Sequence, residues 1–577
     1  MAQPVEVPAR GAVSAPTVGA LWQRAIDARR PGPAFLEERD GDWHEVSWDE
    51  AASRVSALAN GFLSLGVEKG DRVAILARTR LEWTLTDYAL ATIGAAVVPI
   101  YPTSSPAEVT FVLGDSATKV LVAENAEQIE KLEGHDLPAL ERVVGIDVAG
   151  ADGTLADLEK AGWEHAAEHP DALARAAADV GPDDVLTFLY TSGTTGNPKG
   201  CILSQRNYVA MVDSVVAVDD LFRPEDSALL FLPLAHNFAR LIQFTNASVG
   251  YTLAFCADVR NVTTGLGKIR PTLFPSVPRV YEKVYTTVQG QIAESSGLKR
   301  RIGEWGLKVG MSGRNGLQRK LADRLVLGKV RARLGGRLRH AVSGGAPLSK
   351  EVAEFFDACG VTILEGYGMT ECTTAATLNR PGKFRYGTVG QALPGIELSL
   401  DTDGEILIRG ATIFGGYYEN AEATAEVLTE EGWLRSGDIG TIDDDGYLTI
   451  TDRKKDIIVT AGGKNVAPQV IENALKTSPY ISQALVVGDN RPYIVALITL
   501  DPDAIGGLDD PRAAIQATVD AVNADLGRVE QVKRFAILPR DFSIEEGEMT
   551  PTLKLKRRIC IQHFESDLEA LYAAARE

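Results

Sequence analysis

The sequence predicts an α/β protein: a large N-terminal domain of α/β layers plus a β-rich subdomain, followed by a small α+β C-terminal domain. Three observations predict it. A βαβ rhythm runs from Arg72 to Asn125, alternating strands with Asp-Gly turns begin at Ile396, and the composition changes after Asp452.

In chain order, Val73 to Leu76, Leu81 to Ile93, Val97 to Pro99 and Val120 to Ala123 alternate short apolar runs with a helical pattern, which implies a mostly parallel sheet covered by helices. The rhythm returns at Ala228 to Leu232, His340 to Ser343 and Val361 to Leu364, each run ending in a loop with Gly or Pro. In open α/β sheets, ligands sit beside such loops. From Ile396 the apolar residues alternate (Ile396, Leu398, Leu400, then Ile406 and Ile408 across Asp403-Gly404), the signature of β-hairpins, and Asp445-Gly446 marks another. Beyond a boundary at Asp452, a helix near Gln469 to Lys476 and strands near Ala484 to Val487 and Tyr493 to Leu500 suggest the small α+β unit.

At 577 residues the chain exceeds one ordinary core. Its apolar fraction of 45% and charged fraction of 24% are those of a folded globular protein. The net charge of −19 opposes nonspecific attraction to nucleic acid or anionic lipid, so no nucleic acid is expected as a partner. Cys201, Cys256, Cys359, Cys372 and Cys560 are widely spaced and form no CxxC pair, which suits a cytoplasmic setting. Met1 to Pro16 lacks the basic start and apolar core of a signal peptide and reads as a loose leader. Apolar stretches such as Leu90 to Pro102 are too short and broken to span a bilayer, so any membrane contact would be peripheral. One segment departs from the acidic average. Leu298 to Arg339 holds thirteen lysines and arginines against Glu304 and Asp323, and reads either as a solvated helical hairpin or as a dock for lipid headgroups or a polyanionic ligand.

The segment Tyr190-Thr-Ser-Gly-Thr-Thr-Gly-Asn-Pro-Lys199-Gly200 follows the apolar run Val185 to Leu189. Gly193 and Gly196 allow backbone N–H groups to approach anionic oxygens, and the hydroxyls add donors, as a phosphate cradle requires. It is not a Walker A loop, because Lys199 stands between Pro198 and Gly200. There is no Gly-x-Ser-x-Gly elbow, which disfavours a serine hydrolase.

Together with Glu365-Gly-Tyr-Gly-Met-Thr-Glu371, Ser436-Gly-Asp438 and Asp452-Arg-Lys-Lys-Asp456, this loop resembles the adenylate-forming superfamily of acyl-CoA synthetases, peptide-synthetase adenylation domains and luciferases, over nearly the whole chain and in the family's order. The resemblance implies an N-terminal AMP- and acyl-binding domain, residues 1–451, and a mobile lid, residues 452–577, that reorients about Asp452 between two half-reactions. It implies ATP, Mg²⁺ and CoA as cofactor and co-substrates. Thr191, Ser192, Gly193, Thr194, Thr195, Gly196 and Lys199 would hold the phosphates, with Thr191 and Glu371 as magnesium ligands. Gly345, Ala346, Glu365, Gly366, Tyr367, Gly368 and Thr370 would line the adenine and acyl-phosphate region. Asp438 would take the ribose hydroxyls, with Arg453 and Lys455 nearby. Lys554, in Pro551-Thr-Leu-Lys554, matches the mobile catalytic lysine, and Gly462-Gly463 would flank the pantetheine tunnel in the second state.

Within the superfamily the chain looks most like the long-chain fatty acyl-CoA synthetases. The signals are Leu232-Pro-Leu-Ala-His236, Phe274-Pro-Ser-Val-Pro-Arg279-Val-Tyr-Glu-Lys283, the basic insertion, and Ile363 to Cys372. His236, a core or capping group on its own merits, is placed by the resemblance near the substrate carboxylate. Some relatives carry a tryptophan gate four positions later, where this chain has Arg240, so Phe238 and Phe244 are the candidates to shape the tunnel. The expected activity is AMP-forming ligation of a fatty acid to CoA. An enzyme that stops at acyl-AMP or loads a carrier protein, and a non-catalytic lipid-binding scaffold on the same fold, are the alternatives. Chain-length preference and oligomeric state are not legible.

Overall fold

The computed structural model describes residues 15–148, 152–191, 197–312, 316–506, 508, 510–550 and 554–573. Two largely parallel sheets form its centre. In the six-stranded sheet the order is Arg142–Gly145, Val120–Ala123, Arg72–Leu76, Ala96–Ile100, Val185–Thr191 and Lys199–Ser204, only the last pair being antiparallel. These strands read as unbroken apolar runs because both faces are covered.

The nine-stranded sheet runs Gln391–Ala392, Thr377–Leu378, Thr362–Tyr367, His340–Ser343, Leu273–Ser276, Ser227–Leu230, Thr252–Phe255, Pro33–Arg39 and Asp42–Ser47. Its antiparallel strands lie at the two ends. The helices Leu81–Ile93 and Asn237–Val249 are buried round nearly their whole circumference. They are tied together where Thr84 donates to Gln243 Oε1 at 2.8 Å and Tyr88 donates to the Gln243 carbonyl at 2.8 Å.

The hairpin region predicted from Ile396 is a four-stranded antiparallel sheet, Ile396–Leu400, Glu405–Gly410, Leu434–Ile442 and Leu448–Arg453. Gly404 turns the first hairpin at φ +84°, a conformation that side chains resist. After Ile458 a three-stranded sheet, Ile481–Val487, Ile494–Leu500 and Val532–Ile537, is flanked by the helices Pro468–Leu475 and Pro511–Ala524. Its buried residues form their own clusters and share none with the residues before Leu448.

The edge of the six-stranded sheet is not bare. The strand Lys199–Ser204 exchanges backbone bonds with the irregular segment 415–418: Ile202 N–H to Gly416 O (3.0 Å), Gly415 N–H to Ile202 O (3.0 Å) and Tyr418 N–H to Gly200 O (2.7 Å).

The basic segment forms the helices Gly297–Met311, Leu317–Ala322 and Gly328–Arg333, the last two joined by a π-helical turn at Asp323–Leu327. A residue count overstates its free charge. Arg331 binds Asp323 and the Cys359 carbonyl, Arg339 binds Asp226, and Arg319 donates to the Gly310 carbonyl, so these arginines hold the fold together. Among the described residues no helix is long and apolar enough to cross a membrane.

Candidate active site

The strands Val185–Thr191 and Lys199–Ser204, which flank the expected phosphate loop in sequence, pair antiparallel, with Thr191 opposite Lys199. Ser192, Gly193, Thr194, Thr195 and Gly196 lie outside the described residues. Tyr190, at the base, donates to Asp115 Oδ2 at 2.6 Å, so its hydroxyl anchors the hairpin. The Lys199 ammonium stands 5.1 Å from the centre of the Tyr417 ring. Tyr417 in turn donates to Glu371 Oε1 at 2.7 Å. Burial, then the charge of Glu371, pushes the Tyr417 phenol well above its usual range, so it stays a donor. Tyr417 thereby links the hairpin to the acidic residue.

Glu371 is buried in the turn Thr370–Cys372, which follows the strand Thr362–Tyr367. The intervening Gly368 has no alternative: an added Cβ would lie 2.2 Å from the Thr374 carbonyl oxygen. Thr191 and Glu371 both flank the buried thiol of Cys201, which burial holds far above the usual thiol range.

Across the cleft, Asp438 is paired in register with Arg453 on the neighbouring strand. Its carboxylate accepts from the Tyr367 hydroxyl at 2.6 Å and from Arg453 Nε at 3.2 Å. Tyr367 is therefore fixed by its hydroxyl, which leaves its ring orientation set before any nucleotide arrives. Glu365 accepts from the Leu348 N–H at 2.9 Å and so holds the loop that contains Gly345 and Ala346. Burial pushes the Glu365 carboxyl up to about 8, the Leu348 N–H opposing the shift.

His236 takes the capping role expected of it. Its Nδ1 accepts from the Phe238 N–H at 3.1 Å and caps the helix Asn237–Val249. Burial, reinforced by the charge of Lys554, holds it down at about 4, so the ring is neutral and its other nitrogen is free of that capping bond. The next residue, Asn237, accepts from Tyr208 and donates to the Thr370 carbonyl at 3.4 Å, binding this helix to the Glu371 turn.

Lys554 is solvent-exposed, and the charges of Arg453, Asp438 and Glu371 all reach it. The loss of surrounding water and then Arg453 lower it to about 8, while Asp438 and Glu371 oppose the shift. Lys554, His236, Asp438, Arg453 and Glu371 are thus linked electrostatically. Lys455 is exposed beyond it. Gly462 and Gly463 lie in an exposed turn between Ile458–Val459 and Asn465–Val466. Asp452 is buried, accepts from the N–H groups of Arg453 (2.6 Å) and Gln469 (3.3 Å), and is raised to about 6 by burial.

Arg240 is locked in the core. It is fully buried and binds Asp87 through Nε (3.1 Å) and Nη2 (2.6 Å), inside a cage of Trp83, Tyr208 and Phe244. A side chain gripped on all sides cannot swing as a gate. Phe244 is core, packed on Tyr88 and Tyr208. Only the half-buried Phe238 faces Gly344, where an added Cβ would lie 3.6 Å from its ring. Sequence reasoning missed Tyr417 and Asp87, although an arginine in a helix of mostly apolar residues signals a buried carboxylate partner.

These features define a nucleotide-type site at the ends of parallel strands, faced by a lysine from a separate small unit. The sequence matches the AMP-binding enzyme family over residues 22–418 and the AMP-binding enzyme C-terminal domain over residues 455–576, and the chain belongs to that family. It is 43% identical to long-chain-fatty-acid–CoA ligase FadD15 of Mycobacterium bovis over 92% of this chain and 93% of that protein. The Mycobacterium tuberculosis FadD15 is 42% identical over the same shares. Among solved structures it resembles the adenylation domain of a carboxylate reductase from Mycobacterium chelonae, with TM-score 0.77 and 25% identity over 97% of this chain and 92% of that one.

Proposed function

We propose that this enzyme is an AMP-forming long-chain fatty acid–CoA ligase, with residues 1–451 as the AMP- and acyl-binding domain and 452–577 as the lid. The position of Lys554 supports this most strongly: carried by the C-terminal unit, its ammonium lies within electrostatic reach of Asp438, Glu371 and His236. The similarity to long-chain fatty acid ligases over almost their full length supports the substrate class.

In the first half-reaction a carboxylate oxygen attacks the ATP α-phosphorus, and the bond to pyrophosphate breaks. Lys199 and Lys554 offset the charge of two anions that repel in water. Asp438 and Arg453 orient the ribose, Tyr367 faces the adenine, and neutral His236 can donate to the carboxylate. In the second, the CoA sulfur attacks the acyl carbon and AMP leaves, with the lid turned about Asp452 so that Gly462 and Gly463 approach the pantetheine. Glu371 and Thr191 fit a magnesium ion, because Tyr417 engages only Oε1 of Glu371 and leaves a second hard oxygen beside the phosphate hairpin. Such an ion would neutralise phosphate charge. AMP and pyrophosphate release, measured with acids of graded length with and without CoA, tests the assignment. Turnover restricted to short or aromatic acids sinks the long-chain assignment, and CoA-independent product redirects the acceptor.

The free, buried cysteines suit the cytoplasm, and we place a peripheral membrane contact at residues 298–339. Leu317 (86% exposed), Leu321 (50%) and Leu325 repeat at helical spacing on the face opposite buried Ala322 and Leu327, with Lys320 and Arg324 exposed alongside. Leucines flanked by cations suit an anionic bilayer surface. Replacing Leu317 and Leu321 by serine should weaken co-sedimentation with vesicles containing anionic phospholipid by roughly tenfold. Equal sedimentation with neutral and anionic vesicles, or with neither, would rule the contact out.

A further inference from the structure

The motif Pro278-Arg279-Val-Tyr-Glu-Lys283 opens the helix Pro278–Glu294, and none of its charges enters the cleft chemistry above. The helix is fixed to the large domain by its tyrosines. Tyr281 is fully buried and donates to the carbonyls of Phe274 (3.0 Å) and Val342 (3.2 Å), and Tyr285 donates to Glu351 at 2.5 Å. Arg279 and Lys283, one turn apart on another face, reach across to the C-terminal unit.

Arg279 donates from Nη1 to the Ser482 carbonyl (2.9 Å) and from Nη2 to Ser482 Oγ (2.8 Å). Lys283 donates to Asp501 Oδ2 at 2.9 Å. The receiving side has a matching local geometry. The register of Ile481–Val487 against Ile494–Leu500 shifts between Ile481 and Gln483, so Ser482 is the extra residue of a bulge. A bulge leaves that residue's polar groups out of the ladder and turns them outward. Asp541 accepts from both the Ser482 and Thr499 hydroxyls and fixes the Ser482 side chain. Ser482 and Asp501 are both buried at the same end of this sheet.

We infer that Arg279 and Lys283 form a latch on Ser482 and Asp501 that holds the C-terminal unit in the orientation placing Lys554 in the cleft, making them positioning residues for adenylation and not for thioester formation. The inference rests on the two-step ligase reading above. Contacts made in one orientation only shift the balance toward it by their differential free energy, and a guanidinium on a fixed carbonyl and hydroxyl is such a contact.

The test separates the half-reactions. In the Arg279→Ala/Lys283→Ala variant, acyl-AMP formation should slow by roughly tenfold or more, while conversion of supplied acyl-AMP and CoA to thioester stays within about twofold. Lys283→Asp should behave like the double variant, and Lys283→Asp with Asp501→Lys should regain most of the lost rate. Energy transfer between dyes on exposed Glu294 and Asp525 reports lid orientation without any substrate. It should show the lid released in Lys283→Asp and restored in the swap. Equal slowing of both half-reactions, or a lid that does not move and a swap that does not rescue, overturns the latch. A lid that responds in a protein with no long-chain adenylation overturns the substrate reading and leaves the latch standing.

Discussion

Lys554→Ala is expected to slow acyl-AMP formation by roughly 10²–10³-fold, the loss associated with removing one preorganised charge from a dry site. Thioester formation from supplied acyl-AMP should change little, because the role proposed for Lys554 lies where carboxylate and α-phosphate meet. The pH profile gives an independent check. Lys554 is lowered to about 8 in the free enzyme, so its ammonium is present below that value and lost as pH rises through it. Adenylation measured as kcat/KM should therefore fall on the alkaline side of about 8. Lys554→Arg should move that limb to higher pH, since a guanidinium does not deprotonate there. Wild-type rates of acyl-AMP formation in Lys554→Ala, measured by single-turnover mixing, would remove the lysine from the mechanism.

Asp87→Ala should be the most destabilising single change among the buried polar residues discussed above. It strands the Arg240 guanidinium in a space with no water, at a cost of about 3–5 kcal/mol. Asp87 also accepts from Gln243 Nε2 at 2.8 Å, so the same change unsettles the bridge between the two central helices. Replacing both charges together, as Asp87→Leu with Arg240→Met, should recover most of the loss, because an apolar pair of similar volume avoids the desolvation cost. Thermal midpoints of the single and double variants, compared at one scan rate, decide it. A double variant no more stable than Asp87→Ala would mean the pair does more than neutralise itself.

Much of this architecture can be read from residue patterns, and the reasons are local. Val120–Ala123, Leu81–Ile93 and His340–Ser343 match the expected bounds because short, largely apolar strands and a helix rich in apolar residues that ends at Gly94 leave a local pattern. The turn at Gly368 is legible because the close Thr374 carbonyl leaves no room for a side chain there. What escaped depends on partners far apart in sequence. Tyr417 meets Glu371 across 46 residues, and Arg240 meets Asp87 across 153. The pairing within the basic insertion is hidden for the same reason: Asp226, which neutralises Arg339, lies 113 residues away.

The segment 415–418 that pairs with Lys199–Ser204 has a consequence for the fate of the chain outside its active site. An edge strand with unsatisfied N–H and C=O groups is a template for other chains, and this cover pairs part of that edge. The cover is an irregular stretch with only a few backbone bonds to hold it. Partial unfolding that lifts it would expose a ready-made aggregation edge while leaving most of the protein folded. Solubility on storage or overexpression should therefore fail here before the cores melt.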